Sequence, residues 1–200
     1  MKKILILFSI LMSCLTIAQA QNAKDVLDKC AAVVSNKDGV KASFRMESAR
    51  YGTSSGTIAI KGRKFCVTTD IASIWFDGKT QWTYLKKNDE VSVTTPTEVQ
   101  LQTLNPYNFI TMYKKGFKHT MTTNASSYNV HLTADNSSKK MSEMFITIDK
   151  KSFTPTEVKV LQGNKWTTFK ISNLQKSKLD DAMFRFSSKD FPSAEVIDLR

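Results

Sequence analysis

Ile74-Trp75-Phe76-Asp77-Gly78-Lys79-Thr80-Gln81-Trp82-Thr83-Tyr84 reads as two strands joined by a tight turn. The aromatic and β-branched residues at either end suit a pleated, half-buried surface, while Asp-Gly combines a side chain that bonds its own backbone with a residue tolerant of positive φ. On the returning strand Trp82 and Tyr84 alternate with Gln81 and Thr83, a period of two that puts both rings on one face. Asn88-Asp89 then separates this strand from Val91 and Val93, so a second hairpin follows the first. Local turns between short strands predict an antiparallel meander.

The same period runs outward in both directions. Ala42, Phe44 and Met46 alternate with Ser43, Arg45 and Glu47; Ile58 and Ile60 alternate with Thr57, Ala59 and Lys61; Phe65 and Val67 resume after Gly62. Strand patterns return over 117–123, 128–134, 144–149, 156–161 and 165–171. Two segments break the rhythm. Within 23–35, Val26, Leu27, Cys30, Ala31 and Val34 recur at helical spacing, and Asn36-Lys37-Asp38-Gly39 supplies the stop. From Thr97 to Tyr113, Thr97 with Glu98 opens a helix, Pro106 begins or bends a second, and Leu101, Leu104, Phe109, Ile110 and Met112 give apolar surface. The count is roughly ten strands, one N-terminal helix and a helical insertion, and a sheet that large curls around a side that must be filled. The class is mainly β (α+β), with the helical segments as the available covers.

Lys2 and Lys3, an apolar run from Ile4 to Ile17 and then Ala18-Gln19-Ala20 have the form of a secretory signal peptide. The run is about 14 residues where roughly 20 are needed to span a bilayer. Residues 1–20 are therefore expected to be removed after Ala20, leaving 21–200 as one domain, without repeat or linker, in a periplasmic location. Leu11-Met12-Ser13-Cys14 loosely resembles a lipidation site, but Met12 fits it poorly and the apolar run continues past Cys14; the free, cleaved form is expected. Cleavage lowers the formal charge from +11 to +9. Export argues against nucleic acid as the partner of these scattered lysines, leaving a solvated surface or transient contact with a membrane surface.

Cys30 and Cys66 survive processing. Two cysteines do not make a disulfide framework, and Cys30 falls on the apolar side of the helix, so a buried free thiol is expected, with a Cys30–Cys66 bridge as the alternative. His119 and His131 lie inside strand patterns, outside any metal spacing and away from a candidate nucleophile, and are expected to be satisfied or exposed strand residues. Asp89-Glu90 has its carboxylates pointing apart at a hairpin. No glycine-rich phosphate loop occurs. Neither catalysis, a metal nor a cofactor is expected.

Phe44, Met46, Ile58, Ile60, Phe65, Val67, Trp82 and Tyr84 are expected to share the concave strand face, with Phe109, Ile110 and Met112 opposite them and Val26, Leu27, Cys30 and Val34 on the covering helix. Periodicity does not separate a filled core from a cavity. The methionines, flexible and polarizable, suit either.

The run 74–84, followed by Asn88-Asp89-Glu90-Val91, resembles the outer-membrane lipoprotein carrier family, LolA, in which a strand enters a D-G-K-T turn and returns through W-x-Y. Lys41-Ala42-Ser43-Phe44 is similar to that family's first strand, Asn105-Pro106-Tyr107-Asn108-Phe109-Ile110 to its central helix, and Asp181-Ala182-Met183-Phe184-Arg185-Phe186 to its D-A-x-x-F-x-F segment. The resemblance implies an unclosed half-barrel of about eleven strands, consistent with sheet geometry, lidded by the N-terminal and central helices. It also implies a monomeric carrier that binds lipoprotein acyl chains, receives lipoproteins from an ATP-driven inner-membrane releasing complex and passes them to an outer-membrane acceptor. Family members often latch the lid with an arginine in a K-R-P stretch; here Lys61-Gly62-Arg63-Lys64-Phe65 leaves Lys61 and Arg63 both open as the equivalent. An outer-membrane lipoprotein acceptor, a binder of another amphiphile and a protein-binding sensor or regulator on the same scaffold are the other readings.

Overall fold

The computed structural model describes residues 22–50, 52–97, 100–101, 112–136 and 141–200. Helix α1 (Ala23–Val34) begins at Asn22, whose side chain accepts from the Asp25 amide at 2.9 Å, and has Asp25 in its first turn. Both features satisfy or complement the open N–H groups of a helix start. At its other end the Ser35 amide and hydroxyl both donate to the Ala31 carbonyl. Gly39, at φ 111°, turns the chain into the sheet, and a Cβ there would lie 2.6 Å from Leu179. Only glycine meets both the positive φ and the close approach.

Among the described residues twelve strands follow: β1 (Val40–Ser48), β2 (Gly52–Lys61), β3 (Lys64–Thr69), β4 (Ala72–Phe76), β5 (Gln81–Leu85), β6 (Glu90–Thr94), β7 (Phe117–Thr123), β8 (Ser127–Ala134), β9 (Met141–Asp149), β10 (Pro155–Gln162), β11 (Lys165–Lys176) and β12 (Glu195–Asp198). They form one sheet in the order β12-β6-β5-β4-β3-β2-β1-β11-β10-β9-β8-β7. All neighbours are antiparallel except β12, which lies parallel to β6. The first and last strands of the order do not pair, so the sheet is an open half-barrel rather than a closed one. β12 is the strand that periodicity does not reveal: it is four residues long and lies beside a strand distant in sequence.

Turn chemistry follows the sequence where the sequence is explicit. Asp77 Oδ1 accepts from the Lys79 and Thr80 amides at 3.0 and 2.9 Å, and Gly78 takes φ 103°, closing the β4–β5 hairpin. Ahead of the central segment, Thr97 and Gln100 form a reciprocal cap: the Gln100 side chain accepts from the Thr97 amide at 2.8 Å and Thr97 Oγ1 accepts from the Gln100 amide at 3.3 Å. A 3₁₀ turn, Met112–Lys114, leads into β7, and its Tyr113 hydroxyl donates to Asp28 of α1.

The inner face of the sheet carries the main core. Val26, Leu27, Cys30, Ala31 and Val34 of α1 pack in one cluster with Val130, Leu132, Met144, Ile146, Ile148, Val158 and Val160. Each large aliphatic side chain among them, fully buried, contributes about 1.5–3 kcal/mol. The outer face is covered over β2–β6 by the segment after β11. Leu179 and Phe184 pack on Ala59 and Cys66, and Phe191 meets Trp75 and Tyr84 at 5.5 and 4.6 Å between ring centres. Cys30 lies on the inner side and Cys66 on the outer; both thiols are free. Burial pushes the Cys30 thiol up to about 12, which leaves it protonated and inert.

Asp181 fastens the covering segment. Its carboxylate receives Lys64 Nζ at 2.6 Å and Lys61 Nζ at 3.0 Å, and hydrogen bonds from Lys64 and then Lys61 hold it well below its ordinary 3.8, at about 2. A depressed carboxylate contributes stability above its unfolded pKa and loses it as pH falls through the folded one. The stability difference between wild type and Asp181→Asn is expected to be flat above about pH 5 and to close between about pH 4 and 2. It is expected to be small, because exposed ion pairs are screened by water and salt. Thermal unfolding of both proteins across this range checks the expectation; a difference that persists at pH 2 contradicts it.

Candidate functional site

Between the C-terminal end of α1 and strands β1–β4 with β10 and β11, the inner face leaves a cavity of about 330 Å³. Register explains its walls. Val40, Ala42, Phe44 and Met46 alternate along β1; Ala42 lies opposite Ile58, Ile58 opposite Val67, and Val67 opposite Ile74. On the other side Phe44 faces Ile171 and Met46 faces Phe169, which in turn faces Val158. Cross-strand partners share a face, so this chain of pairs is one continuous apolar surface spanning six strands. Val34 and Leu174 complete it.

The few polar groups in the wall are occupied by the protein itself. Ser54 Oγ donates to Asp70 at 3.1 Å and Thr69 Oγ1 donates to the Ala72 carbonyl at 3.0 Å. What remains for a ligand is hydrocarbon, suited to alkyl chains and to nothing that needs a buried hydrogen bond. No group of three or more His, Cys, Asp or Glu side chains is placed to hold a metal among the described residues.

Of the expected site residues, Phe44, Met46, Ile58, Ile60 and Val67 do line the cavity. Phe65 is fully buried, its ring 5.3 Å from Phe76, and packs in the core beside the cavity rather than lining it. On the helix Val34 reaches the cavity, whereas Val26, Leu27 and Cys30 are buried in the core beside it. Phe109 and Ile110 lie outside the described residues, as does the side chain of Met112.

Trp82 and Tyr84 require a correction. The β4–β5 hairpin sets Trp75 opposite Trp82 and Ser73 opposite Tyr84, so both rings stand on the outer face with Cys66 and Trp75. Tyr84 donates to Asp89 at 2.9 Å, and that hydrogen bond raises its phenol pKa. The inner positions of β5 are Gln81, Thr83 and Leu85. The expectation takes the aromatic face as the inner one, but here the outer face is aromatic because Phe186 and Phe191 of the covering segment pack on it. The latch question closes in a similar way for Lys61: it donates to the Leu179 carbonyl at 2.8 Å and pairs with Asp181, gripping the outer covering segment rather than α1. Arg63 lies in the exposed β2–β3 turn. His131 is satisfied as expected, bonded to Glu143 at 2.9 Å and stacked on Phe145. His119 is not, since its Nδ1 is buried without a partner among the described residues.

Val40, Ala42, Ile74, Pro155, Val158, Phe169, Ile171 and Leu174 are cavity residues that sequence reasoning does not select. The signal is present in β10 and β11, where Val158 and Val160, and Phe169 and Ile171, alternate as clearly as Ile58 and Ile60 do.

An apolar pocket inside an unclosed half-barrel is the geometry implied by the resemblance that residues 74–84 carry. Residues 13–164 match the family described as outer membrane lipoprotein carrier protein LolA. The chain belongs to the LolA family. The matched stretch includes the Asp77-Gly78-Lys79-Thr80 turn and the cavity strands through β10, and it ends short of the Asp181–Phe186 segment. Among solved structures, an uncharacterized conserved protein from Thermus thermophilus has the same fold, with a TM-score of 0.60 at 14% identity over 89% of this chain and 99% of that one. A LolA superfamily protein from Nitrosomonas europaea aligns with a TM-score of 0.46, 11% identity, and 84% and 99% coverage. Lipoprotein LppX from Mycobacterium tuberculosis aligns with 0.47, 11%, and 79% and 98%. No curated protein sequence matches the chain.

Proposed function

We propose that this LolA-family chain is a non-enzymatic carrier that binds lipoprotein acyl chains in the cavity beneath α1 and shuttles lipoproteins from the inner to the outer membrane. The observation that carries the proposal is the continuous hydrocarbon wall, about 330 Å³ of space whose polar neighbours Ser54 and Thr69 are already bonded within the protein. Family membership supports it. Moving an acyl chain into water costs about 0.8 kcal/mol per CH₂, so a soluble shuttle must replace that lost contact. The cavity is near the lower end of ligand pockets, about 300–1,000 Å³, and cargo with long chains needs it to widen. A wall of flexible Met46 and Phe44 side chains and a roof that ends at Val34 permit such widening, and re-closure drives release.

The cargo reaches the carrier from an inner-membrane releasing complex and leaves to an outer-membrane acceptor, with the carrier acting as a monomer in the periplasm. In this reading residues 1–20 direct export and are removed. Intact mass of the exported protein is expected to show Gln21 as the first residue and no lipid on the polypeptide; an acylated Cys14 would replace the free carrier with an anchored acceptor. The decisive experiment is native mass spectrometry of protein purified from the periplasm without detergent. Acyl-bearing lipoprotein in the complex supports the carrier, and an empty protein that takes up no lipoprotein during energised release from inner-membrane vesicles overturns it.

A further inference from the structure

Along β2 the inward positions are Ser54, Gly56, Ile58 and Ile60, and the three that have side chains line the cavity. Gly56 lies among them, with Phe44 of β1 and Thr69 of β3 as its cross-strand partners, and both partners line the cavity as well. A glycine inside a strand weakens it and marks a place where another group comes close. Two groups do so here. A Cβ on Gly56 would collide with the Thr68 carbonyl oxygen and would lie 3.1 Å from Phe44 Cζ.

Cζ is the ring atom farthest from the Phe44 backbone, so its closeness to Gly56 fixes how the side chain lies. The ring leans across the floor of the cavity onto the bare backbone of the next strand, where a cross-strand aromatic residue can cover a glycine. Phe44 is only half-buried, so the ring rests on Gly56 and still borders the cavity. Volume gives this arrangement its consequence. An apolar cavity of about 150 Å³ is enough to hold a benzene molecule. A phenyl ring raised from Gly56 would therefore take up roughly half of the cavity of about 330 Å³.

We infer that the pair Gly56 and Phe44 sets how much acyl chain the cavity accepts. With the ring seated on Gly56 the floor is open; with the ring lifted, the protein fills the cavity with its own side chain. A raised ring and an acyl chain compete for the same space, so bound cargo favours the seated ring and anything that lifts the ring weakens the hold on cargo. The inference rests on the acyl-binding reading of the cavity and adds to it the residues that determine its capacity.

The test is calorimetric titration of the mature protein with laurate, myristate, palmitate and stearate, for wild type, Phe44→Leu, Gly56→Ala and Gly56→Ala/Phe44→Leu. Each CH₂ that finds room in the cavity strengthens binding about fourfold, so affinity rises along the series until the space is full and then levels off. Phe44→Leu is expected to level off at a longer chain than wild type. Gly56→Ala is expected to bind palmitate about tenfold more weakly than wild type, because its methyl group lifts the ring, and the double variant to return to within about threefold of Phe44→Leu. Thermal unfolding checks that each variant is folded. If Gly56→Ala unfolds through the collision with Thr68, the levelling point of Phe44→Leu, which leaves the strand backbone untouched, decides alone. A Phe44→Leu protein that levels off where wild type does, a folded double variant as weak as Gly56→Ala, or a wild type that binds none of the four acids overturns the inference. Lipoprotein uptake by the same proteins separates the two readings. Wild type that follows the expected titration but takes up no lipoprotein keeps the capacity pair and loses the carrier, while lipoprotein uptake with Phe44→Leu titrating as wild type does the reverse.

Discussion

Ile58→Asp is expected to leave the protein folded and to cut acyl-chain retention by more than about tenfold, while Leu132→Asp is expected to unfold it. Both positions are aliphatic strand residues facing inward, so sequence alone treats them alike. Ile58 is half-buried and lines the cavity between Ala42 and Val67, which also line it. A carboxylate there turns into open space that admits water, at a cost of about 1–2 kcal/mol in stability. Leu132 has no exposed surface and lies between His119 and Met144 in the core that α1 covers. An unpaired charge at such a site costs several kcal/mol, a large part of the roughly 5–15 kcal/mol that holds a typical domain together. The carboxylate of Ile58→Asp keeps water in the volume an acyl chain must occupy, and about 1.4 kcal/mol of lost affinity is already a decade. Thermal unfolding paired with acyl content by mass spectrometry distinguishes the outcomes. If Ile58→Asp unfolds like Leu132→Asp, the inner face is ordinary core; if it stays folded and fully loaded, the acyl chain binds elsewhere.

The contrast between those two residues also marks how far the sequence can be read. Strand alternation is explicit in Phe44/Met46 and Ile58/Ile60, and the Asp77-Gly78 turn and the Asn22-to-Ser35 helix stand where their local chemistry puts them, because caps, turns and period-two patterns are properties of a few consecutive residues. What the period cannot supply is which face is inner. Trp75 and Phe76 are adjacent and both apolar, since one meets Phe191 on the outside and the other Phe65 on the inside. The rings of Trp82 and Tyr84 therefore suggest an inner face although they belong to the outer, and only the covering segment around Phe184 and Phe191, about a hundred residues later, explains why that face is apolar. The cavity itself is illegible for another reason: Val34 over empty space and Leu27 over packed strands have the same spacing, polarity and burial along α1. Space is a property of what is missing between distant strands, and no local pattern encodes it.

That difference along α1 can be measured by adding volume at one point and removing it at another. Val34→Trp is expected to leave the unfolding temperature close to that of wild type and to block acyl loading, because the larger side chain grows into a cavity of about 330 Å³ that Val34 already borders. In a filled core the same enlargement costs about 1–3 kcal/mol or more in displaced neighbours. Leu27→Ala is expected to destabilise by about 3 kcal/mol, as a fully buried leucine whose loss leaves a hole that the surrounding strands close only in part. Its effect on loading is expected to be secondary, visible only through the unfolded fraction. Thermal or urea unfolding and acyl content, measured on both variants, test the pair. A Val34→Trp protein that loads normally removes Val34 from the roof of the site, and a Leu27→Ala protein as stable as wild type shows that α1 is a loosely held flap over its whole length. If both expectations hold, α1 is anchored through Val26, Leu27 and Cys30 to the strands that close the core. Opening for cargo then has to occur at the helix's C-terminal end, where Ser35 to Gly39 link it to β1 and where Val34 is the residue that must move aside.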